Sequence, residues 1–127
     1  MAFRNVLCFG SINPDLVYFI NKLPSPGGDI QSKKYFIRPG GTAINCAENI
    51  AMWEINTAVR GNSIGKDELG TYLVKHLNNL EIVHKDVIKE NIITPTCSIY
   101  IDKSGERTII SSGYEINNWS NLNNIQD

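Results

Sequence analysis

Strand-like and helix-like patterns alternate through the first two-thirds of the chain, and this alternation limits the folds that it can adopt. Short apolar runs typical of buried strands occupy residues 5–9 and 58–62. Apolar residues at helical spacing occupy 42–55 and 67–80. Because strands that alternate with helices usually pair in parallel, the pattern predicts an α/β layer with a parallel sheet.

The first helix should begin at Thr42, a residue type suited to capping the free N–H groups of a first turn. Its apolar residues form two neighbouring rows, so we expect it to be mostly buried. The second helix is more clearly amphipathic. Six of its side chains fall on one face: Leu69, Tyr72, Leu73, His76, Leu77 and Leu80.

Two segments do not follow the alternation. Residues 29–38 hold apolar side chains among polar ones and end at a proline–glycine break, which indicates an exposed or edge strand. Residues 96–112 alternate strictly in their first half and contain a D-K-S-G turn, which predicts a hairpin. We expect the two segments to form a small separate sheet attached to one edge of the α/β layer.

Composition argues against several classes of protein. The 127 residues carry 12 basic and 13 acidic side chains without a basic tract, which argues against a nucleic-acid partner. No apolar run reaches about 18 residues and no signal peptide is evident, so we expect no membrane span and a cytoplasmic location. Cys8, Cys46 and Cys97 lie far apart among apolar neighbours, which predicts buried free thiols rather than disulfides or a metal site. The asparagine-rich stretch at 117–127 is only weakly periodic.

Gly40 and Gly41 directly precede the helix expected at Thr42. Glycines let a ligand approach the backbone, and a helix start offers free N–H groups. Asn45, one turn further on, would add an amide on the same side. The glycine pair equally fits a turn that needs a positive φ, so both interpretations remain open.

Asn13 and Asp15 lie between the first strand and a second apolar run at 16–20. Ligands of open α/β sheets bind beyond the carboxyl ends of the strands. In extended chain the two side chains would point the same way and offer an amide and a carboxylate to a polyhydroxylated ligand. The alternative is an Asx-turn, in which they bond only to local backbone.

In order and spacing, these motifs resemble the N-terminal half of the ribokinase family, the pfkB-type carbohydrate kinases. The resemblance covers nearly all of residues 1–127. It rests on G-S-x-N-x-D at 10–15, L-P-x-P-G at 23–27, G-G-x-x-x-N-x-A at 40–47, G-N-S-I-G-K-D-E-L-G at 61–70 and D-x-x-G-E-R-T at 102–108.

The resemblance implies part of a Rossmann-like α/β body with a small β-sheet lid, formed by residues of about 29–38 and 96–112. In this family the lid closes over a sugar or sugar-like alcohol, and in several members it also forms a homodimer contact. Ser98 or Tyr100 of the hairpin could cover the ligand, but the sequence leaves open which face of the hairpin they occupy. By matching position, the substrate hydroxyls would be held by Asn13, Asp15, Gly40, Gly41 and Asn45.

Full-length members of the family transfer the γ-phosphoryl of ATP, with Mg²⁺, to a sugar hydroxyl. Their second signature, D-T-x-G-A-G-D, supplies an anion hole and the catalytic aspartate, and it does not occur between Met1 and Asp127. We therefore expect the substrate-binding half of a carbohydrate kinase, inactive alone and without tight binding of ATP or Mg²⁺. The alternatives are a non-catalytic module that binds sugar or dimerises through the lid, and a truncated product without a stable fold.

Overall fold

The computed structural model describes residues 5–114 and Trp119, and this part of the chain forms two β-sheets and two α-helices. Apart from Trp119, the asparagine-rich stretch at 117–127 lies outside the described residues. A short 3₁₀ helix covers Lys85–Val87. In chain order the other elements are β1 (Asn5–Gly10), β2 (Asn13–Phe19), β3 (Lys34–Gly40), α1 (Thr42–Ala51), β4 (Asn56–Gly61), α2 (Glu68–Asn79), β5 (Thr96–Ile101) and β6 (Arg107–Ser112).

Strands β1 and β4 pair in parallel and form the α/β layer that the sequence predicts. Their register runs from Asn5 opposite Asn56 to Gly10 opposite Gly61. Helix α1 packs against both strands, because a connection between parallel neighbours must cross one face of the sheet. The buried core of this layer comprises Cys8, Ile12, Ala43, Ile44, Ala47, Val59, Ile64, Leu73, Leu77, Ile82 and Val87.

The second sheet has four strands in the order β3-β2-β5-β6. Strand β2 pairs antiparallel with β3 and parallel with β5, and β5 forms the predicted hairpin with β6. Strand β3 lies at the edge, as expected for 29–38, although it begins only at Lys34 and continues through Gly40. The two segments that interrupt the alternation therefore belong to one separate sheet, which also contains β2.

Strand β2 begins at Asn13, before the apolar run at 16–20 that the sequence marks. Asn13 and Asp15 therefore lie in the second sheet rather than in the turn after β1. Asparagine, proline and aspartate are poor strand formers, but β2 lies between two partner strands whose hydrogen-bond ladders keep it extended. Tertiary pairing thus overrides the local preference of these residues.

Helix α1 ends at Ala51 rather than at Ile55. The backbone N–H groups of Trp53 and Glu54 donate to carbonyls three residues back, and Glu54 has a φ of 57°, through which a helix cannot continue. The expectation of a mostly buried helix is wrong as well, because only one face packs on the sheet, and Cys46 and Asn49 within the helix are exposed. The buried residues of α1 are Ala43, Ile44 and Ala47.

The start of α1 is capped by Ser11, not by Thr42. Gly41 holds the N-cap position with a φ of 93°, and Thr42 is the first helical residue. The Ser11 hydroxyl accepts from the Thr42 backbone N–H at 2.9 Å, and the Thr42 Oγ1 accepts from the Ser11 backbone N–H at 3.0 Å. These reciprocal bonds join the end of β1 to the start of α1.

Helix α2 matches its prediction closely. Asp67 precedes it and its Oδ1 accepts from the Gly70 backbone N–H at 2.8 Å, which caps the first turn. Leu73 and Leu77 are buried on the predicted face. His76 of the same face contacts Glu48 of α1. Neither helix within the described residues has the length and apolar character needed to cross a bilayer.

The three cysteines are free thiols, as the sequence predicts, but only Cys8 is buried. Cys46 is exposed on α1 and Cys97 is half-buried on β5. Apolar neighbours in sequence do not by themselves bury a side chain, because successive side chains of a helix or strand point in different directions. Burial, together with the nearby Cys46, raises the pKa of Cys8 to about 11.

Candidate functional site

Asn13 and Asp15 form a buried polar pair on β2. The Asn13 Nδ2 donates to the Asp15 Oδ1 at 2.8 Å, so the two side chains point the same way, as predicted. Only 1% of Asn13 and 6% of Asp15 is exposed. Asn13 also donates to the Pro14 carbonyl, but the partners of the Asp15 carboxylate are side chains. The Asx-turn alternative therefore does not hold for Asp15.

Arg38 belongs to this cluster although the sequence does not single it out. It lies opposite Asp15 in the antiparallel register of β2 and β3, and its Nε donates to the Asp15 Oδ2 at 3.2 Å. Its side chain is 54% exposed, whereas that of Asp15 is 9% exposed. The ion pair therefore connects a buried carboxylate to the protein surface. The signal that would have revealed Arg38 is the cross-strand register, which requires knowing that β2 and β3 pair.

Gly40 and Gly41 pack directly against β2 and the turn before it. A Cβ on Gly40 would lie 2.4 Å from the Asp15 Cγ. A Cβ on Gly41 would lie 2.3 Å from the Ser11 carbonyl oxygen, and its φ of 93° favours glycine in any case. The interpretation of a turn with a positive φ is thus confirmed at Gly41, whereas a ligand's approach to this backbone remains a prediction.

The first N–H groups of α1 are not free to bind a ligand. The Thr42 N–H donates to the Ser11 hydroxyl at 2.9 Å, and the Ala43 N–H donates to the Ser11 carbonyl at 3.0 Å. The expectation of free N–H groups is therefore wrong for Thr42 and Ala43. The turn at Ser11 folds back over the helix start and takes the place of an external acceptor.

Asn45 lies apart from the buried pair, exposed on the first turn of α1. Among the described residues, no hydrogen bond joins its side chain to the pair. It borders a shallow cavity of about 280 Å³ that opens beside the Asp15 ion pair. The structure thus brings together four of the predicted residues and places Asn45 at the rim. The cavity is lined by Arg38, Pro39, Asn45, Glu48 and Asn49.

Tyr114 is a second member of the cluster that the sequence does not mark. Its hydroxyl donates to the Asn13 Oδ1 and lies 3.7 Å from the Cys97 Sγ. Burial, with contributions from Cys97 and Asp15, raises the pKa of Tyr114 far above its usual range, so the hydroxyl keeps its proton. No local pattern could have found this contact, because 101 positions separate Tyr114 from Asn13.

The strand register determines which hairpin side chains share the face of Asp15. Cys97 lies opposite Asp15 on β5. Since successive residues of a strand alternate between faces, Cys97 and Ile99 lie on the face of Asp15. Ser98 and Tyr100 lie on the opposite face, where Tyr100 stacks on Tyr18. The register thus settles the facing that the sequence leaves open: Ser98 and Tyr100 point away from Asp15.

The chemistry of the cluster suits hydroxyl groups better than a metal ion. Within residues 5–114 and Trp119, no three His, Cys, Asp or Glu side chains converge as they would around a metal. We assign no metal-dependent step to these side chains. A carboxylate accepts hydrogen bonds from hydroxyls, and an amide both donates and accepts.

The part of the chain that forms this cluster lies within a match to a known family. A family model described as pfkB family carbohydrate kinase matches residues 4–127. The chain belongs to the pfkB family of carbohydrate kinases. This membership confirms the resemblance inferred from the motifs at 10–15 and 40–47.

Solved structures of the family share the α/β fold of this chain. Ribokinase from Giardia lamblia is 25% identical with a TM-score of 0.74, and the match covers 87% of this chain and 34% of that one. Arabidopsis thaliana ribokinase, in a structure complexed with ribose and ATP, is 28% identical with a TM-score of 0.73, and the match covers 88% and 36%. The predicted ribokinase-type fold is therefore confirmed.

A curated relative is similar over the same part of the chain. Nucleoside kinase from Methanocaldococcus jannaschii is 28% identical over 108 residues, which are 82% of this chain and 34% of the relative. This pfkB-family chain thus spans about a third of the length of the kinases that it matches. The relatives include kinases of sugars and of nucleosides.

Proposed function

We propose that the cluster around Asp15 binds hydroxyl groups of a sugar or a sugar-like alcohol. The observation that carries the proposal is the buried pair of Asn13 and Asp15, packed against the glycines at the start of α1. A carboxylate accepts two hydroxyl hydrogen bonds, and charge-assisted bonds of this kind are stronger than neutral ones. Asn45, at the rim of the adjacent cavity, supplies a further amide to a bound ligand.

In the whole protein, this cluster holds the acceptor of a phosphoryl transfer from ATP. The γ-phosphoryl passes to a ligand hydroxyl, the bond to the ADP oxygen breaks, and the hydroxyl loses its proton to a base. Family membership supports this reaction, as does the ribose and ATP complex of the Arabidopsis thaliana relative. Asn13 and Asp15 bind and orient hydroxyls that do not react.

Residues 1–127 alone transfer no phosphoryl group. They contain no D-T-x-G-A-G-D segment, the part of the family's sequence that stabilises the transferring group. We also assign them no tight binding of ATP or Mg²⁺. In an assay with MgATP and D-ribose, D-fructose or adenosine, the 127-residue chain should release ADP no faster than a protein-free blank. Phosphorylated product above that blank would contradict this part of the proposal.

Calorimetric titration with D-ribose, D-fructose and adenosine tests the hydroxyl-binding role. Asp15→Asn keeps the shape of the side chain but removes its charge. For whichever of the three probes binds the original chain, we expect this variant to raise the Kd by about tenfold or more. The reason is that a hydrogen bond to a charged group contributes roughly 1.5–3 kcal/mol. The matched control is Asp29→Asn, which removes the same charge from an exposed loop and should leave the Kd unchanged.

Two results would contradict the hydroxyl-binding role. The first is an absence of binding heat with all three probes at millimolar concentration, both for the original chain and for Tyr114→Phe. The second is an equal change in Kd for Asp15→Asn and Asp29→Asn, which would attribute the effect to net charge instead of the site. Circular dichroism of both variants verifies that they remain folded.

A second function, self-association through the four-stranded sheet, is favoured by the face opposite Asp15. Tyr18 stacks on Tyr35 and on Tyr100 with ring centroids 5.3 Å apart in each pair. Tyr35 is 53% exposed, and Ile110 on the same face is 58% exposed. Exposed aromatic and aliphatic side chains on one sheet face are typical of protein contacts. We therefore propose a homodimer formed through this face.

Sedimentation velocity tests the homodimer. We expect the chain to dimerise with increasing concentration and Ile110→Arg to remain monomeric, because it places a charge in the contact. Thr71→Arg, at an exposed position of α2, is the control and should dimerise like the original chain. A monomeric original chain at high micromolar concentration would contradict the proposal.

A further inference from the structure

Tyr114 bonds to the side chain to which the proposed function assigns a ligand hydroxyl. Its hydroxyl donates to the Asn13 Oδ1, which is the bond that a hydroxyl of a sugar would also make. We propose that, without a ligand, the phenol hydroxyl of Tyr114 occupies the hydroxyl-binding position on Asn13, and that a polyhydroxylated ligand must displace it. This inference rests on the proposed role of Asn13 and Asp15.

The polar atoms of the buried pair are already bonded within the protein. The Asn13 Nδ2 donates to the Asp15 Oδ1 and to the Pro14 carbonyl, at 2.8 and 3.1 Å. The Asp15 Oδ2 accepts from Arg38 at 3.2 Å, and Tyr114 takes the Asn13 Oδ1. With Asn13 1% and Asp15 6% exposed, no ligand can reach the pair unless a covering side chain moves.

Of the two outer partners, Tyr114 controls access to Asn13. The Arg38 side chain is 54% exposed and donates to Asp15 rather than to Asn13, so moving it leaves the Asn13 Oδ1 covered. Tyr114 is partly buried and contacts both Asn13 and Cys97, so moving it breaks contacts in the interior. Displacement of Tyr114 is therefore the step that opposes ligand binding.

The backbone before Tyr114 directs its side chain toward the pair. Gly113 follows β6 and has a φ of 84°, and a Cβ at this position would lie 3.0 Å from the Pro95 Cα. The chain can therefore turn sharply here and pass close to Pro95 only because the residue is glycine. This turn places Tyr114 beside Cys97, on the face of the sheet that carries Asp15.

The consequence is selectivity for ligands that restore the lost hydrogen bond. A ligand with a hydroxyl at the right position replaces the phenol with an equivalent donor. A deoxy ligand leaves the Asn13 Oδ1 without its donor, which costs more than the bond itself contributes. The phenol also lowers the affinity for every ligand, because the competent state must first be populated.

Calorimetric titration of Tyr114→Phe with D-ribose, D-fructose and adenosine tests the inference. The variant keeps the ring but removes the hydroxyl that competes for Asn13, so the Kd of the bound probe should fall about fivefold, the effect of one neutral hydrogen bond. The matched control is Tyr72→Phe, which removes a hydroxyl that donates to the Ile37 carbonyl at 3.3 Å, away from Asn13. The Kd of Tyr72→Phe for the same probe should equal that of the original chain.

A spectroscopic measurement reports the displacement directly. In a chain with ¹³C-labelled tyrosine, the Tyr114 ring-carbon signal is assigned by its loss in Tyr114→Phe. Saturation with the bound probe should shift this signal, while the Tyr72 signal stays in place. Gly113→Ala gives an independent variant, because it strains the turn that positions Tyr114 and should also lower the Kd.

The outcomes separate this inference from the proposed function. If a probe binds the original chain but Tyr114→Phe binds it equally or more weakly, the displacement is wrong and the hydroxyl-binding role stands. An unshifted Tyr114 signal at saturation likewise overturns the displacement alone. If no probe binds the original chain or Tyr114→Phe, both proposals fail. If only Tyr114→Phe binds, both are supported.

Discussion

Asn62 bonds to both backbone polar groups of Ile12. Its Oδ1 accepts from the Ile12 N–H and its Nδ2 donates to the Ile12 carbonyl, each at 2.7 Å. Both residues are fully buried. Ile12 lies between β1 and β2, where the chain leaves one sheet before it joins the other. A side-chain amide thus replaces the strand neighbour that a buried backbone would otherwise require.

Asn62→Ala should lower the free energy of unfolding by about 2–4 kcal/mol, because it leaves a buried N–H and a buried carbonyl without partners. Chemical denaturation measures the change. Asn79→Ala, at an exposed position near the end of α2, is the control and should change it by less than about 0.5 kcal/mol. Equal effects of the two substitutions would contradict the structural role of Asn62.

Gly41→Ala should destabilise the chain more than Gly27→Ala. Both glycines have a positive φ, 93° and 77°, so each substitution carries about 1–2 kcal/mol of backbone strain. At Gly27 nothing lies within 4 Å of the added Cβ, whereas at Gly41 the Ser11 carbonyl oxygen lies at 2.3 Å. The clash should add about 1–3 kcal/mol, measured by chemical denaturation. An equal loss of unfolding free energy in the two variants would contradict the clash, because it would mean that the loop at Ser11 moves away freely.

Asp67 should make the stability of the chain depend on acid pH. Burial raises the pKa of Asp67, but hydrogen bonds from Thr94 and from the Gly70 N–H outweigh it, so the pKa lies below its usual value. The ionised carboxylate therefore stabilises the folded state fully above the ordinary aspartate pKa of about 3.9, and this contribution is lost as the pH falls through the lowered value.

This pH dependence is checked by measuring the unfolding free energy of the original chain and of Asp67→Asn between pH 7 and pH 3. Their difference should be constant near neutral pH and shrink below about pH 4. Asp67→Ala, which also removes the N-cap acceptor, should cost about 0.5–2 kcal/mol. A difference between the original chain and Asp67→Asn that does not vary with pH would contradict the shift.

The three thiols should react at different rates with a thiol reagent at pH 8. Cys46 is exposed and should react first, and half-buried Cys97 should follow. Cys8 should react only on unfolding, because it is buried and its pKa of about 11 leaves little thiolate. Cys46→Ser should remove the fast phase and no other. Rapid reaction of Cys8 in the folded chain would contradict the described packing.

The periodic patterns of the sequence predicted the elements better than their ends. Helix α2 has a side-chain cap and a clear apolar face, and it begins and ends within one residue of its predicted bounds. Helix α1 ended early, because the positive φ at Glu54 has no signal in an apolar row that continues to Ile55. The start of β2 at Asn13 depended on its two partner strands, which local propensity does not include.

The candidate site was predicted in part. Asn13, Asp15, Gly40 and Gly41 were found by their sequence spacing, and they lie together because β2 and β3 pair with Asn13 opposite Gly40. Arg38 and Tyr114 were missed. Arg38 enters through the same strand register, and Tyr114 through the sharp turn at Gly113. The substrate roles of Asn13, Asp15 and Tyr114 remain proposals that the experiments above test.

Sequence alone was sufficient for the class of fold and for the family, because both depend on periodicities and motifs that lie within a few residues of one another. Tertiary structure was needed for the facing of Ser98 and Tyr100, for the Ser11 cap of α1 and for the contact of Tyr114 with Asn13. Each of these depends on strand register or on a turn that joins distant segments, and a shift of one residue reverses which face a strand side chain occupies. Local spacing carries no such information, so only the folded chain determines which polar groups meet.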